Sequence, residues 1–174
     1  MIDCGANYGD VWFALGALGK KPRYIAIEPD PSVLGTLKKN LPNDASVYEI
    51  ALGDRDQDFV EFFVSGMSGD SSIFQPEIVK NRVLVPMQTL ETFVADFGLA
   101  KICLLKLEAG GQEVEILQGA QKVLERFSYV AIDGSAERGG HETFKDLKAI
   151  LENSGFVLIY RSDRYVSALF ACLH

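Results

Sequence analysis

Apolar positions along this chain change their spacing from one stretch to the next, and each change predicts an element. Met1 and Ile2 lead as a strand end into Asp3, Cys4, Gly5, Ala6, Asn7, Tyr8 and Gly9, a tight glycine turn. Val11, Trp12, Phe13, Leu15 and Leu18 then recur at helical spacing up to Gly19, which suits a stop. Tyr24 to Ile27 is a short apolar run with basic residues before it and Glu28 after it, the pattern of a buried parallel strand. Asp30 caps a helix with Pro31 at its first position and Val33, Leu34, Leu37 and Leu41 along its inner face.

Ser46 to Leu52 reads as a third strand that ends in the turn cluster Gly53 to Asp56. Phe59 to Val64 is apolar and aromatic with no helix after it, and Gly66 to Ser72 is a loop of small residues, so a hairpin insertion or lid is expected there. Arg82 to Met87 reads as an edge strand that tolerates Pro86, and Thr89 caps a short helix carrying Leu90, Phe93 and Val94. Lys101 to Leu107 is the next core strand, and Gln112 to Phe127 reads as the best helix in the chain, with Val114, Leu117, Ala120 and Leu124 along one stripe. Tyr129 to Ile132 ends at Asp133, and a glycine-rich loop with Glu137, Arg138 and His141 follows. Phe144, Leu147, Ile150 and Leu151 form one more helix, stopped by Gly155. The last two strands, Phe156 to Tyr160 and Tyr165 to Leu173, are so close in sequence that they must pair antiparallel.

Strands that alternate with helices in this way predict an α/β fold: a doubly wound, mostly parallel, Rossmann-like sheet whose edge is modified by a C-terminal antiparallel hairpin. The 174 residues, 48% of them hydrophobic, suit one domain over 1–174. Only two residues precede Asp3, fewer than a strand normally has, so the chain is expected to be clipped at its N-terminus. The formal charge of −7 argues against a nucleic-acid partner, whose phosphates demand clustered Lys and Arg. The apolar runs are far shorter than the roughly 20 residues of a membrane span, so the expectation is a soluble, cytoplasmic protein without a membrane partner. Cys4, Cys103 and Cys172 lack metal-ligand spacing and read as buried reduced thiols; no metal is expected.

The candidate chemistry lies at the carboxyl ends of the strands, where ligands of such sheets sit. A glycine turn lets backbone approach a ligand closely, because no Cβ intervenes and positive φ costs little. A carboxylate at the tip of the next strand, here Glu28, is where nucleotide-binding α/β folds accept hydrogen bonds from ribose hydroxyls. Asp3, Asp54, Glu108 and Asp133 occupy similar strand-end positions.

Three segments together resemble a known family: acid-x-Gly-Ala-Asn-x-Gly at Asp3 to Gly9, Ile-Glu-Pro-Asp-Pro at Ile27 to Pro31, and Leu-Lys-Leu-Glu at Leu105 to Glu108 before a helix ending Leu117, Gln118, Gly119, Ala120. They look like the FkbM-type S-adenosylmethionine-dependent methyltransferases. The resemblance covers nearly the whole chain and implies the class I methyltransferase sheet, S-adenosyl-L-methionine as cofactor, and O-methylation of a sugar, polyketide or other small hydroxylated acceptor. It further implies that Asp3, Gly5, Asn7 and Gly9 shape the pocket for the methionine portion, that Glu28 with Pro29 serves the ribose, and that Asp54 lies near the adenine. Ser71 and Ser72 match a small hydroxyl pair of the family's loop. One departure stands out. The family reads Lys, apolar, Asp, apolar, Glu, Gly, and this chain has Lys106, Leu107, Glu108, Ala109, Gly110, Gly111, so the second acid is a glycine.

Methyl transfer from a sulfonium needs alignment above all, and an oxygen acceptor must also lose its proton. The candidates for a base are Glu108, Asp133 and His141. Each has a plainer alternative: Glu108 as a helix N-terminal acid, Asp133 and His141 as solvated loop residues, and Asp54 as a turn acid. Two other functions stay open, a binding module that has lost methyl transfer and, more remotely, a nicotinamide-dependent oxidoreductase, although Gly5 to Gly9 lacks that fingerprint of three spaced glycines.

Overall fold

The computed structural model describes all residues except 67, 68, 96, 98–100, 137, 139, 163, 165 and 174. Glu137 and the start of the last predicted strand at Tyr165 therefore lie outside the described residues. Strand β1 (Ile2–Cys4) lies between β2 (Ile25–Ile27) and β7 (Ile102–Leu107), parallel to both. On one side the sheet continues from β2 to β3 (Ser46–Tyr48). On the other it continues from β7 through β8 (Phe127–Asp133) to the antiparallel pair β10 (Ser167–Cys172) and β9 (Phe156–Ser162). The seven-stranded order is thus β3-β2-β1-β7-β8-β10-β9, and chain order reverses at the β1/β7 boundary.

Helices cover both faces. Helix α1 (Asp10–Ala17) and α2 (Pro31–Asn40) close a small core of Ala6, Tyr24, Ala26, Leu34, Leu37 and Leu41. The Asp30 side chain accepts the Ser32 N–H at 2.8 Å, so the predicted cap with Pro31 behind it is present. The larger core lies on the opposite face, under α3 (Leu90–Ala95), α4 (Glu113–Gln118) and α5 (Phe144–Asn153). Among the described residues no helix is long and apolar enough to cross a membrane.

Several expectations are corrected. The third strand is two strands: β3 stays beside β2, and β4 (Ala51–Gly53) leaves the main sheet to pair in parallel with the end of β6 (Val79–Thr89). It leaves because Ala51 buries into a separate core with Phe62, Val64, Val85 and Met87. Strand β5 (Gln57–Ser65) pairs antiparallel with β6, which makes the expected insertion a three-stranded sheet, β4-β6-β5. Strand β6 is central there, not an edge. Pro86 is tolerated because it falls opposite the irregularity between Gln57 and Val60 and just before the β4 pairing begins at Met87.

The long helix expected over 112–127 stops at Gln118. A Cβ on Gly119 would meet the Gly53 carbonyl oxygen at 2.3 Å, so the turn after β4 presses directly on this point. The chain continues in tight turns to a short 3-10 segment, Leu124–Arg126, and still buries Ala120, Val123 and Leu124. Apolar periodicity survives there without continuous helical hydrogen bonding. Phe13, one of the apolar positions at helical spacing, is 53% exposed, while Trp12 packs edge-on against Tyr24. Cys4 is buried as expected, but Cys103 is exposed.

Candidate functional site

The site is assembled at the carboxyl ends of β1, β2 and β7, where the strand order reverses. Gly5, Asn7 and Gly9 all have positive φ, at 73°, 46° and 88°, which folds the turn after β1 tightly. The Gly5 and Ala6 N–H groups donate to the Ile27 carbonyl at 3.0 and 3.2 Å, tying the turn to β2. A Cβ on Gly5 would lie 1.7 Å from the Glu108 carbonyl oxygen, so the chain after β7 also rests against this turn.

Glu28 is held on the other side. Its Oε2 accepts the Asn7 N–H at 2.8 Å and its Oε1 accepts the Asp30 N–H at 2.8 Å. Each oxygen keeps lone-pair capacity beyond that one bond. The residue is 6% exposed, and burial pushes its carboxyl above the usual range, against the two backbone donors that favour the charged form. Asp30 is engaged twice: Oδ1 caps α2, and Oδ2 accepts the Ser71 hydroxyl at 2.6 Å. Ser71 Oγ also accepts the Ser65 N–H at 3.0 Å, so one hydroxyl joins the three-stranded sheet's loop to the rim of the main sheet.

Beneath the turn lies a buried ion pair. Asp3 and Lys106 are register partners on neighbouring parallel strands, and Lys106 Nζ lies 3.1 Å from Asp3 Oδ1. The Tyr24 hydroxyl donates to Asp3 Oδ2. The same ammonium donates to the Gly5 carbonyl at 2.7 Å and the Cys4 carbonyl at 3.3 Å, and it pairs with Glu108 Oε2 at 3.1 Å. Burial pulls the Lys106 ammonium down, and the carboxylates of Asp3 and Glu108 more than offset it, so it is held above the ordinary lysine value. Burial raises Asp3, against Lys106 and the Tyr24 hydroxyl. Lys106 is thus both the counter-ion of a fully buried acid and a clamp on the glycine turn.

These groups line a cavity of about 340 Å³. Its polar wall includes Gly5, Asn7, Glu28, Asp30 and Lys106, and its apolar wall includes Val33, Ile50, Ala51, Leu52 and Phe62. Of the residues read from the sequence as cofactor contacts, Gly5, Asn7, Glu28, Pro29 and Ser71 line it. Asp3 and Gly9 support the wall from behind, Asp3 through Lys106 and Gly9 against Leu37 and Leu41. Asp54 is outside, beside Arg55, and the wall reached by that part of the chain is Ile50 to Leu52. Of the three base candidates Glu108 lines the cavity. The Asp133 carboxylate instead accepts the Ser135 N–H at 2.8 Å, and His141 is exposed in its loop.

A family model for the methyltransferase FkbM domain matches residues 3–158, the span that carries the cleft and the parallel strands of the main sheet. The chain belongs to the FkbM methyltransferase family. Among relatives of this FkbM domain, the 2-O-methyltransferase NoeI of Sinorhizobium fredii (strain NBRC 101917 / NGR234) is 24% identical over 170 residues, covering 87% of this chain and 69% of NoeI. The crystal structure of methyltransferase FkbM from Methylobacillus flagellatus KT superposes with a TM-score of 0.62 at 21% identity, over 98% of this chain and 42% of that one. The chain therefore spans less than half the length of that structure. The ribosomal protein L11 methylase of Lactobacillus delbrueckii subsp. bulgaricus gives 0.55 at 12% identity, over 99% of this chain and 69% of that one. The strand order and these likenesses make the fold that of the class I methyltransferases.

The glycine that departs from the FkbM pattern has a structural reason. Gly110 has φ 62°, and a Cβ there would meet Ser72 Cβ at 2.8 Å, Ser72 Oγ at 2.9 Å and the Ser71 carbonyl oxygen at 3.1 Å. Ser72 Oγ donates to the Gly110 carbonyl at 2.6 Å and accepts the Phe74 N–H at 3.0 Å. The Ser71-Ser72 loop thus occupies the space of the missing side chain. Glu113, 1% exposed, accepts the Ala109 N–H at 2.5 Å and stiffens the turn from below.

Sequence reasoning missed Lys106 and the second role of Asp30. A lysine inside the apolar run Ile102 to Leu107 was a usable signal, because a buried ammonium demands an acid partner. The Asp30–Ser71 bond joins residues 41 apart and left no local mark.

Proposed function

We propose that this domain binds S-adenosyl-L-methionine and catalyses methylation of a hydroxyl group on a small acceptor such as a sugar. The observation that carries the reading is the Glu28 carboxylate, fixed by the Asn7 and Asp30 N–H groups at the edge of the cavity with acceptor capacity to spare for a vicinal diol. The residues present fit the cofactor part by part. Glu28 would take the ribose, Ile50 to Leu52 and Val33 offer apolar surface to an adenine ring, and the positive-φ turn at Gly5 to Gly9 leaves room for the amino-acid end. When bound, the cofactor supplies a methyl group on a sulfonium, whose bonding pair stays on sulfur as the acceptor oxygen takes the carbon and gives up its proton.

Glu108 would receive that proton. Its carboxylate lines the cavity, and Lys106 holds one of its oxygens. Similarity to NoeI, a 2-O-methyltransferase, supports oxygen as the acceptor atom. A second reading, a cofactor-binding module without transferase activity, is favoured by Gly110 standing where the family pattern has an acid. Incubation with methyl-labelled S-adenosyl-L-methionine and a panel of glycosides and small alcohols tests both. Label on an acceptor oxygen is the expected result; tight cofactor binding with no labelled product would favour the binding module, and no cofactor binding would overturn both.

A further inference from the structure

A second cavity, of about 230 Å³, adjoins the first. The two share Ser65 and Gly110 as lining residues, and Gly110 follows Glu108 by two positions. The second cavity thus adjoins the one that Glu108, the proposed proton acceptor, lines. Its volume lies below the roughly 300–1,000 Å³ of pockets for drug-sized ligands, so it suits a single ring.

The lining is selective in character. Phe74, Pro76 and Ile78 supply apolar surface, and Asp70 and Glu77 supply carboxylates. No Lys or Arg is among the described lining residues. Arg138 does not line the cavity: it lies over the Phe74 ring at 4.3 Å from its centroid and donates to the Gly111 carbonyl and to Glu115. Arg138 therefore fixes the orientation of Phe74 and leaves its charge committed elsewhere. An aromatic face beside two hydrogen-bond acceptors matches a ring that is apolar on its C–H face and carries hydroxyl donors at its rim. Two carboxylates without a lining cation repel an anion.

The geometry points to this second cavity as the seat of the acceptor, and to an uncharged sugar ring, rather than a uronate or sugar phosphate, as its occupant. This rests on the methyl-transfer reading and names its substrate class. Phe74 is the platform, Asp70 and Glu77 take ring hydroxyls, and Ser65 with Gly110, shared by both linings, mark the boundary at which one hydroxyl would face the first cavity.

Ligand-observed NMR titration of the full chain, with and without saturating S-adenosyl-L-homocysteine, tests it with two probes that differ at one carbon: methyl β-D-glucopyranoside and methyl β-D-glucuronide. The neutral glycoside is expected to bind at least about tenfold more tightly than the glucuronide. Phe74→Ala should weaken the neutral glycoside about tenfold and leave S-adenosyl-L-homocysteine affinity unchanged. Glu77→Lys, at an exposed position, should narrow or reverse the preference between the probes. Equal binding of both probes, no binding of either, or glycoside binding indifferent to both substitutions would overturn the inference. Failure of S-adenosyl-L-homocysteine to bind would instead overturn the methyl-transfer reading, and the arm without it still judges the cavity.

Discussion

The two carboxylates that face the cleft, Glu28 and Glu108, stand in opposite circumstances. Glu28 is 6% exposed, and each of its oxygens is fixed by a backbone N–H. The Glu108 side chain is 54% exposed and is held through one oxygen by the Lys106 ammonium. Around Glu28 the glycine turn, the α2 cap and the Ser71 bridge converge on one rigid rim. Around Glu108 the chain runs through two consecutive positive-φ glycines, Gly110 and Gly111, and is braced by contacts from other loops. Recognition of an invariant cofactor benefits from groups that are pre-placed, whereas an acceptor site has to be open enough to admit and release its substrate. Lys106 connects the two regimes, because one ammonium holds Asp3, the glycine turn and Glu108 together.

This contrast can be broken from either side. The largest effect is expected from Gly5→Ala, since the new Cβ would fall 1.7 Å from the Glu108 carbonyl oxygen at a φ of 73°. A loss of about 4 kcal/mol or more in denaturant unfolding, or no folded protein, is the expected outcome. Lys106→Met should follow at about 3–5 kcal/mol, because it strands the fully buried Asp3 carboxylate without its counter-ion. The double variant with Asp3→Asn should recover part of that loss, which separates the stranded charge from lost packing. Glu108→Gln should shift stability by no more than about 0.5 kcal/mol, as befits a half-exposed side chain. Its methyl-transfer rate should nevertheless fall about 10²- to 10⁴-fold.

The smallest effect concerns pH. Burial raises the Glu113 carboxyl above its ordinary value of 4.5, so the folded state holds that proton more tightly than the unfolded chain does. Its contribution to stability is therefore fully present below about pH 4.5 and is lost as pH rises through the folded value. Glu113→Gln keeps an oxygen for the Ala109 N–H and should flatten this decline in a series of unfolding curves from acid to neutral pH.

The rim around Glu28 was the legible part of the chain, and local chemistry explains why. Gly5, Gly9, Glu28 and the Asp30-Pro31 cap advertise themselves through residue types that a turn or a helix start requires, and the structure holds them in those conformations. The longer core strands and the C-terminal antiparallel pair were equally readable, since strands of six or seven residues leave apolar runs. What tertiary contact decides was not readable. The helix after Gln112 ends early because Gly53 presses on Gly119, and β4 leaves the main sheet because a second core captures Ala51. Asp133 and His141 share the strand-end and loop positions of functional residues, yet the fold turns Asp133 onto the Ser135 N–H and leaves His141 exposed away from the cavity. Spacing along the chain carries no information about which loop a third element will cover.

The central claim is that Glu28 grips a ribose diol, and calorimetric titration with a matched pair of ligands tests it most directly. Wild-type protein should bind S-adenosyl-L-homocysteine about tenfold or more tightly than its 2′-deoxy analogue, since hydrogen bonds to a charged group are worth about 1.5–3 kcal/mol. Glu28→Gln should bind S-adenosyl-L-homocysteine more weakly and lose most of that discrimination. Equal affinity of the wild-type protein for both ligands, or a Glu28→Gln variant that discriminates as well as wild type, would contradict the account.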